Sequence, residues 1–279
     1  MGDPLKFSDE AERFMRVGGD RLVGLAGILS SLGIRYSVAK IGEARHLLAR
    51  VGEGKPRLTF VAHYDRFPGS SGALDNSCAC LQLAAFAARL RARGSPPSLL
   101  FAFTDAEEAP GTGEASRQGS YALARNLKAA GEISEGMSAI VLDVTGRGSR
   151  LLLSSAPAQL LARNGLGTTA AAEGHKVLVS LARRAAARAR LREPLGAALP
   201  WSDDLGLTLG GLPALTVSLL PEAEADMLAA GKRPPTWDLL HTAADTSDRA
   251  EGVAFDILAG FLDSIAQELI RSPSRQEGD

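Results

Sequence analysis

The sequence predicts a single α/β domain over residues 1–279, a mixed, mostly parallel β-sheet flanked by helices on both faces. Three observations carry this reading. Short apolar runs rich in strand formers, at residues 57–62, 98–104, 138–144 and 213–220, read as buried strands. Segments with helical spacing of apolar residues alternate with them, the pattern of parallel strands joined by covering helices. Two further strands come before the first of these runs with no helix between, which predicts an antiparallel edge.

Taken in order, residues 8–32 read as helical, with Ser8 as N-cap, acids in the first turn and Gly33 as C-cap. Phe14, Leu22, Leu25, Ile28, Leu29 and Leu32 supply its apolar face, while the Gly18-Gly19 pair weakens its middle and leaves one helix or two open. Residues 36–41 and 46–51 read as strands joined by a glycine-containing turn. Residues 76–93 are helical, ending on Arg89, Arg91 and Arg93, whose charge suits the helix dipole, with Gly94 after them. Helices are also expected at 118–130, 157–164 and 173–191, and a short strand at 150–154. A short helical segment follows Pro200. Residues 221–235, with their breakers and charges, read as a long loop, and residues 247–270 as the last helix. The tail, 272–279, is expected to be flexible.

Composition narrows the function classes. A net charge of -1 argues against nucleic acid or a membrane surface as partner, since both favour a basic excess. The two cysteines, Cys78 and Cys80, are one residue apart and make no disulfide framework; they read as buried packing residues. The polar, acidic first ten residues lack a basic-then-apolar leader, and no run approaches the ~18 apolar residues of a membrane span. The expectation is a cytoplasmic protein of undetermined oligomeric state.

Chemistry concentrates where apolar strands stop. His63 and Asp65 follow the run at 57–62, and a loop rich in glycine and serine leads from them to Asp75. Glu107 and Glu108 follow the run at 98–104, and Asp143 ends the next. Ligand sites of open α/β sheets lie at such strand ends. Acids converging on one edge repel one another unless a cation sits among them, which favours a metal. Oxygen and imidazole donors without thiolate suit zinc, cobalt or manganese, with zinc the commonest choice for hydrolysis. A carboxylate such as Asp75 can bridge two metals.

The segment His63-Tyr-Asp-Arg-Phe-Pro-Gly-Ser-Ser-Gly-Ala-Leu-Asp75-Asn76 resembles the signature of the M28 family of zinc aminopeptidases. So do Phe103-Thr-Asp-Ala-Glu107-Glu108 with Gly119-Ser-Tyr after it, Leu142-Asp143-Val, and His241-Thr-Ala-Ala-Asp-Thr-Ser-Asp248, in the family's order. The resemblance covers about residues 55 to 265 and implies a single α/β zinc-dependent exopeptidase domain acting on a peptide substrate. It implies two zinc ions, with His63 and Asp143 on one, Glu108 and His241 on the other, and Asp75 bridging. It further implies Glu107 as the general base, Asp65 orienting His63, and a cis peptide after Asp75. Since Glu107 and Glu108 are consecutive, they cannot share one direction, so one can ligate while the other faces the attacking water.

Other candidates are read more plainly. His46 is expected at the surface and His175 at a helix start, neither as a ligand; Asp105 is expected as a local turn residue. Asp245 is expected to support the site or cap the last helix, and Trp201 and Trp237 are candidates for the pocket wall. One departure stands out: many family members carry Ser-Asp-His where this chain has Ser202-Asp203-Asp204, which alters the expected pocket lining. Two alternatives accompany the exopeptidase. One is a glutaminyl-cyclase-like acyltransferase with one zinc, although Leu240 precedes His241 where cyclases often carry tryptophan. The other is a non-catalytic binding protein on the same fold.

Overall fold

The computed structural model describes residues 8–94, 96–108, 114–134, 136–167 and 169–271. Eight strands form one sheet: β1 (Tyr36–Ile41), β2 (Ala44–Val51), β3 (Leu58–His63), β4 (Leu99–Thr104), β5 (Ser138–Leu142), β6 (Arg150–Ser154), β7 (Leu195–Ala197) and β8 (Ala214–Leu220). Their spatial order is β1-β2-β4-β3-β5-β8-β6-β7. The central strands β4, β3, β5 and β8 run parallel, while β1 on β2, β2 on β4 and β6 on β8 are antiparallel. The expected antiparallel edge is therefore present, and the single-domain α/β reading holds.

Every residue of β3, β4 and β8 is buried, because helices cover both faces. Alternation along the strands sorts their side chains. Phe60, Ala62, Phe101, Phe103 and Ile140 face a core shared with α1 (Asp9–Met15), α2 (Arg21–Ser31), α3 (Cys78–Arg91), α6 (Ala170–Arg188) and α10 (Gly252–Arg271). Val61, Leu100, Ala102 and Val141 face the opposite core, covered by α4 (Gly119–Ala129) and α7 (Asp203–Gly210). In the first core Phe60 packs edge-on to Phe86, with centroids 5.3 Å apart, and stacks on Phe101 at 5.6 Å. The remaining helices are α5 (Ala156–Arg163), α8 (Glu222–Ala229) and α9 (Thr236–Leu239). Among the described residues no helix is long and apolar enough to cross a membrane.

Several sequence expectations need correction. The first helical stretch, left open between one helix and two, is two, α1 and α2, broken where Gly18 takes a positive φ of 83°. The long loop expected at 221–235 contains α8: Pro221 starts the helix rather than preventing it, and Glu222 and Glu224 favour its first turn. The last helix begins at Gly252, because residues Ser247–Arg249 form a separate 3-10 turn. β7 was not legible, being three residues long and paired only with β6. His46 is not a surface residue; it lies fully buried on β2, and the Asp105 N–H donates to its Nδ1. The tail at 272–279 lies outside the described residues.

The aromatic cluster predicts a clear stability cost. Phe60→Ala, which empties a fully buried site between Phe86 and Phe101, lowers unfolding free energy by about 3–5 kcal/mol in urea titration. A loss under 1 kcal/mol contradicts this account of the core.

Candidate metal centre

Parallel register brings the strand ends together. His63 pairs with Thr104, and the β5–β3 and β5–β8 ladders set the end of β5 beside them. His63 closes β3, Asp143 follows β5 directly, and Glu107 and Glu108 lie in the turn after β4. Asp75 comes from the wide π turn Ala73–Ser77 that leads into α3, and the Asp75–Asn76 peptide is cis. The loop before it closes tightly: Gly72 has a φ of 61°, and a Cβ there would sit 2.7 Å from the Asp75 carbonyl oxygen. His241 follows α9, far along the chain from the other donors.

The two oxygens of Asp75 face different histidines. Oδ1 lies 3.1 Å from His63 Nε2, and Oδ2 lies 3.2 Å from His241 Nε2. Asp143 Oδ1 is 3.7 Å from His63 Nε2, and Glu108 Oε1 is 3.0 Å from His241 Nε2. Two donor triads result, His63–Asp75–Asp143 and Asp75–Glu108–His241, each with its ligand atoms within 4.8 Å of one another. His63, Glu107 and Glu108 form a third such group. Six residues singled out in the sequence, His63, Asp75, Glu107, Glu108, Asp143 and His241, are thus brought together at one place.

Supporting contacts hold the donors still. Asp65 Oδ1 stands 3.4 Å from His63 Nδ1, while its Oδ2 accepts the Glu108 backbone N–H at 2.9 Å. One carboxylate therefore ties the turn carrying Glu108 to the imidazole of the other triad. Asp245 accepts the backbone N–H groups of Leu74 and Asp75 at 2.6 and 3.2 Å, so it supports the Asp75 loop rather than capping the last helix. The Asn76 amide donates to the Leu142 carbonyl at 2.8 Å and pins that loop to β5. Of the four non-glycine residues with positive φ among the described residues, Ala106, Val144 and His241 sit in this centre. Such conformations cost ~1–3 kcal/mol each and persist where surrounding structure enforces them.

The donor set fits a metal. Both ring nitrogens of buried His63 face carboxylate oxygens, Asp65 on one side and Asp75 and Asp143 on the other, without a well-directed hydrogen bond to any of them. Unpaired acceptors facing one another in a buried site are costly unless a cation joins them. Protonation alone shows the same demand for positive charge. Burial pushes the His63 pKa down, but Asp143, Asp65 and Asp75 outweigh it and raise it well above the ordinary value. Contacts with Asp75 and Glu108 push His241 up to about 10. Burial, reinforced by Asp143, Asp203 and Asp75, raises Glu107 well above a normal glutamate despite His63. The thiols take no part: both cysteines are buried, and Cys80 Sγ donates to the His63 carbonyl oxygen.

A cavity of about 560 Å³ opens onto this cluster. Its floor carries Asp75, Glu107, Glu108, Asp143 and His241, and its walls include Trp201, Trp237, Leu199 and Leu240. Both tryptophans therefore line the pocket, as expected. Three participants were not singled out in the sequence. Phe67 stacks on His241, with centroids 4.9 Å apart and planes 8° from parallel. Gln118 lines the cavity and reaches Glu107, and Thr216 of β8 lines it from the far wall. Nothing in composition marks them, because their relevance comes only from what the fold sets opposite. His175, in contrast, is buried away from the cluster with its Nδ1 3.0 Å from the Ala214 carbonyl oxygen.

Residues 47–260 match the family described as Peptidase family M28. The chain belongs to that family. No curated protein matches it. Among solved structures, a leucine aminopeptidase precursor from Bacteroides thetaiotaomicron is similar at 18% identity and a TM-score of 0.66, covering 92% of this chain and 93% of its own. A Zn-dependent exopeptidase from Parabacteroides distasonis is similar at 16% identity and TM-score 0.68, covering 92% and 94%. A glutaminyl cyclase from Porphyromonas gingivalis is similar at 19% identity and TM-score 0.69, covering 93% and 94%. These likenesses show the M28 fold.

The Ser202-Asp203-Asp204 departure takes an unexpected form. Asp204 is fully buried and absent from the cavity wall; it accepts the Thr216 N–H at 3.2 Å from behind. Burial pushes its carboxyl up to about 7 against the donors Thr216 and Ser154. The unfolded chain loses this proton near an ordinary ~3.9. Stability therefore falls as pH rises from there through about 7. Asp204→Asn should remove that loss: its melting temperature relative to the parent is expected to differ little at pH 4 and to gain steadily by pH 8, by differential scanning calorimetry. An offset independent of pH would contradict the assignment.

Proposed function

We propose that the protein is a two-zinc exopeptidase that removes the N-terminal residue of a peptide. The observation that carries this reading is the division of the Asp75 carboxylate between His63 and His241, each backed by a further acid. In this reading His63 and Asp143 hold one zinc, Glu108 and His241 the other, and Asp75 joins them. Zinc bound there supplies Lewis-acid polarisation of the scissile carbonyl and lowers the pKa of water towards ~7.

The chain's own groups do the rest. Glu107 lines the cavity beside the triads without belonging to either of the two that share Asp75. It takes the proton of the attacking water and returns one to the departing amine. Asp65 keeps His63 in one orientation through Nδ1, leaving Nε2 towards Asp75 and Asp143. The tryptophan and leucine walls offer apolar surface to the side chain of the first residue.

A one-zinc glutaminyl-cyclase reaction is the second reading, supported by the likeness to the Porphyromonas gingivalis cyclase. Two complete triads and Leu240 before His241 favour the peptidase.

Two measurements separate them. Metal analysis of purified protein is expected to give close to two zinc ions per chain; one supports the cyclase, and none removes both readings. In an aminoacyl-p-nitroanilide panel run beside N-terminal glutaminyl peptides, Glu107→Gln is expected to lower kcat by ~10²–10⁴ while zinc content stays unchanged. Full activity in that variant would overturn Glu107 as the base.

A further inference from the structure

Gln118 is the N-cap residue of α4 and is almost wholly buried. Its side-chain amide meets three partners from two other segments. The Gly206 backbone N–H donates to Oε1 at 3.1 Å, and Nε2 lies 3.3 Å from both the Ser202 carbonyl oxygen and Glu107 Oε1. The orientation of the amide is chemically forced. A backbone N–H can only donate, so the atom facing Gly206 must be the oxygen. A backbone carbonyl can only accept, so the atom facing Ser202 must be the NH₂ group. The second N–H of that group is then left aimed at the Glu107 carboxylate.

The surroundings are built around this contact. A Cβ on Gly206 would fall 2.8 Å from Gln118 Oε1 and 2.4 Å from Ser120 Oγ, so only glycine admits so close an approach of α7 to α4. A Cβ on Gly119 would fall 2.0 Å from the Asp105 carbonyl oxygen, which holds the start of α4 against the turn carrying Glu107. The Gly119 N–H also donates to the Ala106 carbonyl at 3.1 Å. Both ends of the amide are thus tied to rigid elements, while Glu107 sits on a turn with a left-handed residue, Ala106, just before it. A carboxylate on a turn has rotamer freedom that a fixed donor removes.

We propose that Gln118 is a positioning residue that holds the Glu107 carboxylate in the one orientation from which it can reach the attacking water. Gln118 touches no reacting atom; it acts through Glu107 and rests on the reading of Glu107 as the base. The contribution is geometric, since small misplacements of a reacting group can cost as much as ~10²-fold in rate.

The test uses the full-length, zinc-loaded protein and the best aminoacyl-p-nitroanilide of the panel. Gln118→Met keeps the volume and removes the donor. It is expected to lower kcat ~10- to 100-fold, with KM within about twofold and zinc content unchanged. Gln118→Asn, an amide one methylene shorter, is expected to show the same loss confined to kcat, and serves should the Met variant fail to fold. On the Glu107→Gln background, adding Gln118→Met is expected to change the residual rate less than twofold, because the group it orients is already gone. In a crystal structure of Gln118→Met the Glu107 side chain is expected in a different or mixed rotamer. An unchanged kcat, an equal fractional loss on both backgrounds, or an unmoved Glu107 would overturn the proposal. Those outcomes are distinct from failure of the base assignment, which shows as activity in Glu107→Gln alone.

Discussion

Everything at the candidate centre depends on where Asp75 is held. Its two oxygens point to imidazoles from opposite ends of the chain, and shifting the carboxylate would disturb both triads together. The fold therefore fixes its backbone from two sides. Asp245 takes the N–H groups of Leu74 and Asp75, and Asn76 ties the next residue to β5. An acid that receives two backbone donors would normally sit well below the usual carboxylate range. Burial nevertheless pushes Asp245 up to about 6, with the charge of Asp75 adding to the effect. One buried acid thus supports another, an arrangement that stays economical only when compensating positive charge is near.

The sheet supplies the second constraint. Parallel strands align their C-terminal ends, so residues distant in sequence arrive at one edge without any loop having to reach for them. Asp65 then couples the two halves, contacting His63 on one side and the backbone of Glu108 on the other. The general base candidate, Glu107, sits on the turn after β4 and is also met from α4, where Gln118 Nε2 lies 3.3 Å from its carboxylate.

Much of this was readable in the chain. Runs of uninterrupted apolar residues such as Leu99–Thr104 announce strands buried on both faces, and acids or histidine at their ends announce the edge where they meet. His63, Glu107, Glu108 and Asp143 stood out because they follow the ends of apolar runs, Asp75 because it closes the loop after His63, and His241 only through the resemblance to the M28 blocks. His46 was misread because its sequence neighbours, Arg45 and Leu47, do not reveal that Asp105 covers its ring. The helix at Glu222–Ala229 was hidden by the prolines that bracket it, since a proline at a helix start and one in a loop look alike. Gln118 and Phe67 carry no local signal at all. Their meaning lies in partners 11 and 174 residues away, which only the folded chain supplies.

The position of His241 has one more consequence. Every other donor of the two triads lies within the first 143 residues, whereas this imidazole arrives after a further 98. During synthesis, β3, β4 and β5 are made before the histidine of the second triad and before Asp245, which holds the Asp75 loop. β8, which packs against β5 in the centre of the sheet, is also made only shortly before that histidine. The centre therefore stays incomplete until residue 241 has been made. The order of the chain alone thus makes the second triad the last part of the centre to be supplied.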